Sequence, residues 1–220
     1  MGVDDHGGEK VCYLDDIVAG HAVDRETRRD VARFRKSERE RLYGLRKALS
    51  VADNQAQATQ IAAALDALLE DMNGRIIAVY WPIRGEMDLR DWMVPAHQRG
   101  AVIALPVVVE KAAPLAFHRW EPGAQMTRGI WNIPVPAEAR PTVPDVVISP
   151  LVGVDAQNFR LGNGGGYYDR TLAALPKKPF VIGVGHHFCR IETIFPQPWD
   201  VAMDQVIIAD APTFSGSTFR

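Results

Sequence analysis

Residues 159–170 form the segment of the chain with the clearest capacity for chemistry. Four of the five positions from Gly162 to Gly166 are glycine, and they follow an apolar strand pattern and precede a helical one. Glycine lets backbone N–H groups approach an anion closely, and the helix that follows adds its positive N-terminal end. Arg160 supplies a guanidinium group directly before the loop. The segment therefore predicts a phosphate-binding loop, with an ordinary glycine turn as the simpler alternative.

This glycine loop differs from the two familiar nucleotide-binding patterns. The Walker pattern requires Lys and then Ser or Thr directly after its last glycine. Here Tyr167 and Tyr168 follow the last glycine. The dinucleotide pattern G-x-G-x-x-G fails as well, because Tyr167 stands where its last glycine should be. A nucleotide bound at this loop would therefore require a phosphate-binding loop of another kind.

Two helices are predicted before the first strand of the main fold. Residues 24–49 contain no proline and carry ten Lys or Arg against five Asp or Glu, a net charge of +5. Apolar residues recur there at helical spacing, but Glu38 interrupts the apolar stripe between Phe34 and Leu42. A second helix is predicted from about residue 55 to residue 72.

Short apolar runs alternate with helical patterns in the rest of the chain. The runs lie at residues 75–81, 101–105, 145–149, 180–184 and 205–209, and residues 107–109 with 115–120 indicate a hairpin. Further helices are indicated after Asp88 and after the glycine loop. This alternation predicts a single α/β domain of three layers, in which a mostly parallel sheet carries helices on both faces.

The predicted domain covers residues 24–210, between a flexible N-terminal extension of residues 1–23 and a C-terminal tail of residues 211–220. In parallel sheets, ligands gather at the carboxyl ends of the strands. Three predicted loops lie there, at residues 82–88, 150–166 and 186–204. We therefore expect the functional residues to come from these loops.

Composition excludes several classes of protein. Hydrophobic residues make up 47% of the 220 residues and charged residues 24%, which is typical of a globular protein. The two cysteines, Cys12 and Cys189, cannot form a disulfide framework or a four-cysteine zinc site. The chain contains no apolar run long enough for a membrane span, and the acidic N-terminus lacks the apolar core of a signal peptide. We expect a cytoplasmic protein.

Five motifs, in the same order along the chain, resemble those of the 5-formyltetrahydrofolate cyclo-ligase family, also called 5,10-methenyltetrahydrofolate synthetases. The glycine loop with its flanking residues is similar to the family signature. The other four motifs lie at residues 46–50, 80–88, 131–136 and 200–206. The resemblance spans residues 33–209 and implies a fold like that of sugar-phosphate isomerases and CoA-transferases.

The resemblance also implies an activity. Enzymes of this family close 5-formyltetrahydrofolate to 5,10-methenyltetrahydrofolate, using ATP as a co-substrate and Mg²⁺ as a cofactor, and release ADP and phosphate. The formyl oxygen is a poor leaving group until it is phosphorylated, so such a site must hold the γ-phosphoryl group against that oxygen and exclude water. The implied partners are small molecules, without nucleic acid or membrane, and the implied protein is a monomer.

The site residues that the resemblance implies fall into four groups. The ATP site would consist of Arg35, Arg39, Arg160, Leu161, Gly162, Asn163, Gly164, Gly165, Gly166, Tyr167 and Tyr168. The folate site would consist of Trp81, Glu86, Trp131, Asn163, Gly164, Gly165, Gly166 and Tyr167. Arg160 and Tyr168 would be catalytic. Asp169 and Asp204 would hold Mg²⁺, a hard cation that prefers carboxylate and phosphate oxygens.

Simpler roles remain open for several of these residues. Arg35 and Arg39 are four residues apart, which places them on one helix face, and that face could simply be solvated. Asp169 could be a first-turn helix acid and Asp204 a turn residue before a strand. The adjacent His186 and His187 have no ligand partner at a useful spacing, so we expect them to be loop residues.

Two other functions also remain open. A divergent relative with the same fold could use ATP on another folate or heterocycle, and Glu38 together with the N-terminal extension favours it. The +5 helix could instead bind nucleic acid, although its acids alternate with its bases and the rest of the chain is acidic.

Overall fold

The computed structural model describes residues 16–211, and these residues form four α-helices and thirteen short strands. The helices are α1 (Arg25–Ala48), α2 (Val51–Leu68), α3 (Arg90–Gln98) and α4 (Tyr167–Ala174). The strands are β1 (Asp16–Val18), β2 (His21–Val23), β3 (Ile76–Ala78), β4 (Val102–Val107), β5 (Ala116–Trp120), β6 (Met126–Arg128), β7 (Pro134–Pro136), β8 (Pro141–Thr142), β9 (Val146–Pro150), β10 (Gly153–Val154), β11 (Arg160–Leu161), β12 (Phe180–Gly185) and β13 (Gln205–Ile208).

Seven of the strands form one sheet in the order β13-β12-β9-β3-β4-β5-β8. The first five strands in this order run parallel, with Ile182 of β12 opposite Ile148 of β9. β5 pairs antiparallel with β4, so the hairpin is formed by the strand predicted at residues 101–105, which extends to Val107, rather than by residues 107–109 alone, and β8 continues antiparallel. The prediction of a mostly parallel sheet is therefore confirmed.

Helices cover both faces of this sheet, because successive side chains of each strand point to opposite faces. On one face, α2 and α3 pack through Ile61 and Met93 against Ile103 and Ile148, all of which are fully buried. On the other face, Leu172 of α4 packs against the smaller strand residues, among them Ala78 and Val147. The three-layer α/β architecture is confirmed.

α1 is not part of either layer. Of its 24 residues only Leu42 and Arg46 are buried. Leu42 packs against Val152, Leu161 and Ile194, which lie in the loops beyond the carboxyl ends of the strands. α1 therefore lies across the carboxyl ends of the strands, where the ligand loops were predicted. Most of its residues are polar and remain outside the core.

Some boundaries differ from the predicted ones. α2 begins at Val51 rather than near residue 55, because Ser50 caps it by accepting a hydrogen bond from the Asp53 N–H (3.0 Å). The predicted extension ends in a hairpin of β1 and β2, and Asp16 pairs there with Arg25 and Arg28 of α1. Residues 1–15 of that extension and residues 212–220 of the predicted tail lie outside the described residues. In the described part of the chain, no helix is long and apolar enough to cross a membrane.

Candidate functional site

The glycine loop lies between β11 and α4, beyond the carboxyl end of β9. Gly164 and Gly166 have φ values of +96° and +62°, a conformation that side chains with a Cβ disfavour. A Cβ on Gly165 would lie 2.7 Å from the ring of Tyr167, which is closer than van der Waals contact allows. Gly166 also directly precedes the first turn of α4, whose amide groups have no intrahelical acceptor. The loop thus offers backbone N–H groups that an anion could reach.

Arg160 is fixed beside this loop by two side chains. Its guanidinium group donates to Oδ2 of Asp169 (3.0 Å) and to the hydroxyl of Ser149 at the end of β9 (3.3 Å). Its Cζ also lies 4.7 Å from the centre of the Tyr168 ring. Burial raises the pKa of the Tyr168 phenol, so that group is neutral at ordinary pH. The structure therefore brings together Arg160, Tyr168 and Asp169.

α1 contributes a second guanidinium group to the loop. Nε of Arg39 donates to the carbonyl oxygen of Gly162 (2.7 Å), and the guanidinium lies next to Gly164. Burial and the neighbouring positive charge of Arg35 lower the pKa of Arg39, which makes an anion favourable at this position.

Arg35 lies one turn away but contacts other groups. It forms an ion pair with Asp200, whose side chain is 7% exposed, and donates to the carbonyl oxygens of Ile194 (2.8 Å) and Phe195 (2.9 Å). This arginine therefore joins α1 to the segment before β13, whereas Arg39 faces the glycine loop. The two residues share a helix face, as predicted, but the structure places only Arg39 against the loop.

Glu86 lies next to the glycine loop and is only 6% exposed. Its Oε1 accepts a hydrogen bond from the side-chain amide of Asn163 (3.0 Å), and its Oε2 accepts one from the Ile83 N–H (3.0 Å). The hydroxyl of Tyr43 in α1 donates to Oδ1 of the same Asn163 (2.6 Å). A continuous chain of hydrogen bonds thus joins α1, the glycine loop and the turn that carries Glu86.

The electrostatics of Glu86 are those of a carboxylate removed from water. Burial raises its pKa above the ordinary value, and hydrogen bonds from Ile83 and Asn163 oppose that shift. The positive charges of Arg46 and Arg160 oppose it as well. A buried carboxylate of this kind is well suited to accept hydrogen bonds from a heterocycle with N–H donors.

The two predicted tryptophans differ in position. Trp131 is 56% exposed, has a φ of +56°, and packs edge-on against Tyr167 with ring centres 5.4 Å apart. Trp131 therefore borders the glycine loop. Trp81 is partly buried below the guanidinium of Arg90, at 5.0 Å, and packs against the main core.

The two carboxylates predicted to bind Mg²⁺ share no partner. Asp169 accepts hydrogen bonds from Arg160 and from the Val201 N–H (3.3 Å), beside the glycine loop. Asp204 accepts one from the Val181 N–H (2.9 Å) and pairs with Lys178, at the amino end of β12. Among the described residues no group of three or more His, Cys, Asp or Glu side chains could hold a metal ion.

Sequence reasoning assigned no role to four residues that lie at or near the site: Tyr43, Arg46, Arg170 and Asp200. Arg170 donates to the carbonyl oxygen of Gly165 (2.5 Å) and lies over the ring of Tyr167. Asp200, rather than Asp204, is the acid of the closing segment next to Val201 and therefore near Asp169. Tyr43 lies four residues after Arg39 and Arg46 lies three after Tyr43, so the spacing placed all three near one helix face but did not show what they contact.

His186 and Cys189 are buried behind the site. Burial lowers the pKa of His186 to about 4 and raises that of the Cys189 thiol to about 11, so both groups are neutral at ordinary pH. His186 lies 3.3 Å from Oδ1 of Asn54, and Cys189 donates to the Leu151 carbonyl oxygen (3.9 Å). Neither residue has a geometry that suggests metal binding or nucleophilic chemistry.

The sheet, the glycine loop and the converging guanidinium groups define an α/β protein with a site suited to an anion. Comparison with known proteins is more specific. The model of the 5-formyltetrahydrofolate cyclo-ligase family matches residues 31–209. Because this match covers most of the sequence, the chain belongs to the 5-formyltetrahydrofolate cyclo-ligase family.

Individual relatives agree with this assignment. The 5-formyltetrahydrofolate cyclo-ligase of Escherichia coli is 28% identical over 169 residues, which cover 74% of this chain and 93% of that protein. The Mycolicibacterium smegmatis protein of the same name is 31% identical over 144 residues, covering 62% and 74%.

Two solved structures are similar in fold. The 5,10-methenyltetrahydrofolate synthetase of Mycoplasma pneumoniae superposes with a TM-score of 0.65, at 25% identity, over 79% of this chain and 97% of that one. The synthetase of Aquifex aeolicus superposes with a TM-score of 0.68, at 25% identity, over 84% and 97%.

Proposed function

We propose that this protein cyclises 5-formyltetrahydrofolate to 5,10-methenyltetrahydrofolate, with ATP as the phosphoryl donor and with release of ADP and phosphate. The observation that carries the proposal is the hydrogen bond between Asn163 of the glycine loop and Glu86 (3.0 Å). It joins a loop suited to phosphate and a buried carboxylate suited to a pterin. Family membership supports the same conclusion.

The phosphate groups of ATP would lie against the glycine loop. Backbone N–H groups of residues 162–166, the guanidinium of Arg39 and the guanidinium of Arg160 can all donate to phosphate oxygens. Because Arg160 is only 7% exposed and is held by Asp169, it can meet charge that develops during transfer without first being ordered.

The pterin would lie between Glu86 and the aromatic side chains. The carboxylate of Glu86 would accept hydrogen bonds from its N–H donors, and Trp131 with Tyr167 would cover the ring from the exposed side. This placement would bring the formyl group towards the glycine loop, since Asn163 of that loop contacts Glu86.

The chemistry follows from these positions. The formyl oxygen attacks the γ-phosphorus and the bond to ADP breaks; N10 then attacks the activated carbon. Phosphate leaves with the former formyl oxygen, and N10 loses its proton. The protein positions the two substrates, neutralises charge through Arg39 and Arg160, and excludes water.

For Mg²⁺ we propose Asp169 as a ligand, together with phosphate oxygens. Its carboxylate lies next to Arg160 at the glycine loop, and Mg²⁺ commonly takes one or two carboxylates with substrate phosphates. The cation would neutralise phosphate charge. Asp204 lies with Lys178 at the amino end of β12, whereas Asp169 lies at the glycine loop, so we give Asp204 no part in this proposal.

The activity is tested by mixing the purified protein with 5-formyltetrahydrofolate, ATP and Mg²⁺ and following the absorbance of the methenyl product. We expect one ADP per methenyl group formed, and no product when either substrate is omitted. ATP consumption with another formylated folate, but not with this one, would instead favour the divergent relative.

The metal assignment has its own test. Asp169→Asn should raise the Mg²⁺ concentration needed for turnover and leave folate binding measured by calorimetry in place. Asp204→Asn is the matched control, with an unchanged Mg²⁺ titration. Equal titrations for the wild type and Asp169→Asn would contradict the assignment.

The structure reduces the support for the alternative functions. Glu38, which favoured a divergent relative, forms an ion pair with Arg41 of the same helix (2.8 Å). Several bases of α1 are paired with acids as well, among them Arg25, Arg28 and Arg33. We retain small-molecule partners, a monomer and a cytoplasmic location as parts of the proposal.

A further inference from the structure

Arg46 is a buried arginine with an unusual set of partners. It is 6% exposed, yet no carboxylate in the described part of the chain forms an ion pair with it. Nη2 donates to the carbonyl oxygen of Leu151 (2.8 Å) and Nη1 to that of Arg84 (3.4 Å). Its Nε is buried without a hydrogen-bond acceptor. Its Cζ also lies 5.7 Å from the centre of the Tyr43 ring. Buried charges are normally paired, so a guanidinium with only carbonyl acceptors and an aromatic neighbour calls for an explanation.

The position of Arg46 supplies one. Its carbonyl partners belong to two of the three loops at the carboxyl ends of the strands, residues 82–88 and 150–166. The third loop, residues 186–204, reaches the same place, because the Cys189 thiol donates to the same Leu151 carbonyl oxygen. One buried side chain of α1 thus lies where all three loops meet.

The contact with residues 82–88 is close. Gly85 has a φ of +72°, and a Cβ on it would lie 3.2 Å from Cδ of Arg46. The turn at this point is closed by two reciprocal bonds, from the Glu86 N–H to the Ile83 carbonyl oxygen (2.9 Å) and from the Ile83 N–H to Oε2 of Glu86 (3.0 Å). The turn that presents Glu86 therefore rests on the side chain of Arg46.

The positive charge of Arg46 also favours a link between Arg46 and Glu86. Four charged or titratable groups face Glu86: Arg46 from α1, Arg160 from β11, Tyr80 after β3 and Tyr168 from α4. Burial raises the pKa of both tyrosines, so they are neutral. Arg46 and Arg160 are thus the two positive charges that favour the carboxylate form of Glu86, and Arg160 is already paired with Asp169.

We propose that Arg46 is a positioning residue for folate binding, which holds the Glu86 turn in place and sets a positive charge beside it. The inference rests on the proposed function, in which Glu86 binds the pterin. It predicts a defect in folate binding that does not extend to ATP.

The test measures binding by calorimetry on the full chain, for 5-formyltetrahydrofolate and separately for Mg²⁺-ATP, over a range of pH. Arg46→Met removes the charge and keeps most of the stem. Arg46→Lys keeps the charge but has one compact donor group in place of the fork. The matched control is Arg41→Met, since Arg41 lies on the same helix, is exposed and pairs only with Glu38. Thermal melts establish that each variant is folded.

For Arg46→Met we expect folate binding to weaken by about tenfold and Mg²⁺-ATP binding to change by less than about twofold. The pH at which folate binding is lost in acid should move upwards, because Glu86 loses a neighbouring positive charge. Arg46→Lys should weaken folate binding by about threefold without moving that pH. Arg41→Met should behave like the wild type in both titrations.

The outcomes separate the two proposals. A wild type that binds no 5-formyltetrahydrofolate overturns the proposed function. If the wild type binds it, the role of Arg46 is overturned when Arg46→Met has the same folate affinity as the wild type. It is also overturned when the pH dependence of folate binding is unshifted in Arg46→Met. Equal losses for folate and ATP would show a general structural role instead. If Arg46→Met does not fold, Arg46→Lys decides, and an unchanged folate affinity there also overturns the inference.

Discussion

The two ends of the central sheet use the same residue types in different ways. At the amino end, Asp145 accepts a hydrogen bond from the Ile76 N–H (3.1 Å) and pairs with Lys177. Asp204 repeats this arrangement on the Val181 N–H (2.9 Å) with Lys178. Each carboxylate satisfies a backbone amide near the start of a strand and has an exposed lysine beside it.

At the carboxyl end, Arg160 and Arg35 are paired with Asp169 and Asp200, but three other charged groups have no oppositely charged hydrogen-bond partner among the described residues. Arg39 bonds only to the Gly162 carbonyl oxygen, Arg46 only to carbonyl oxygens, and Glu86 only to amide groups. A charge that is already paired gains little from a ligand, whereas a buried, unpaired one gains a strong hydrogen bond. The unpaired charges thus lie at the end of the sheet where we propose that the substrates bind.

The largest effect on activity should come from adding a side chain to the glycine loop. Gly165→Ala places a Cβ 2.7 Å from the Tyr167 ring, whose hydroxyl accepts a hydrogen bond from the Ala112 N–H (3.0 Å). The loop or the ring must shift, so we expect kcat/KM for ATP to fall by about a hundredfold, with a small change in melting temperature.

Gly44→Ala is the control for that variant. Gly44 lies in α1 with open space where its Cβ would be, and alanine favours a helix there. It should keep wild-type activity and melt slightly higher. A Gly165→Ala variant that loses stability but retains its ATP affinity would show that the loop is only a structural turn.

The next effect concerns the unpaired carboxylate. Glu86→Gln should weaken folate binding by about 1.5–3 kcal/mol, as expected for a hydrogen bond to a charged group. Wild-type folate binding should also fall in acid at a pH above the ordinary range of a glutamate, because burial raises the pKa of Glu86. Calorimetry at several pH values measures both quantities.

The free energy of unfolding should respond to pH in the opposite direction from folate binding. Since the folded protein holds the Glu86 proton more tightly than the unfolded chain, this group adds stability as the pH falls and removes it as the pH rises between the ordinary and the raised pKa. Glu86→Gln should abolish this dependence in denaturant titrations. A folate affinity that is independent of pH in that window would contradict the role of the carboxylate.

Arg39 and Arg35 repeat the comparison within one helix. Arg39→Met should weaken ATP binding by about tenfold with little loss of stability. Arg35→Met breaks a buried ion pair with Asp200 and should lower the free energy of unfolding by about 3 kcal/mol. Nucleotide titration and urea unfolding of both variants separate the two roles. A loss of ATP binding in Arg35→Met and a loss of stability in Arg39→Met would contradict the assignment.

The smallest effects belong to the amino end. Asp145→Asn and Asp204→Asn each keep an oxygen for the backbone amide and lose one exposed ion pair, so each should change the free energy of unfolding by less than about 1 kcal/mol. Turnover should remain at the wild-type level in both. A large loss of turnover in Asp204→Asn alone would restore Asp204 as a functional residue and weaken the contrast.

The fold could be predicted from sequence because its signals are local. A few neighbouring residues are enough to predict each element, as in the apolar runs of β4, β9 and β12 and the glycine loop before α4. The placement of α2 was less accurate, since the cap at Ser50 was overlooked in favour of the apolar face further along the helix.

The partners of charged side chains could not be predicted in this way. Spacing placed Arg35 and Arg39 together, but their partners, Asp200 and Gly162, are distant in sequence. Arg46 has charged neighbours in sequence and looks like a surface residue until the loops around it are assembled. Such roles depend on tertiary contacts that no local pattern encodes.

The position of α1 also has a consequence for how the protein folds. The contact from Arg39 to Gly162 spans 123 residues and that from Arg35 to Asp200 spans 165, so α1 can be docked only after a segment far along the chain is available. Contacts of such long separation form late, because closing the intervening loop costs conformational entropy before the contact can stabilise it. During synthesis on the ribosome the sheet can therefore begin to assemble while the site remains incomplete. Catalytic competence would be acquired only after the closing segment has been released.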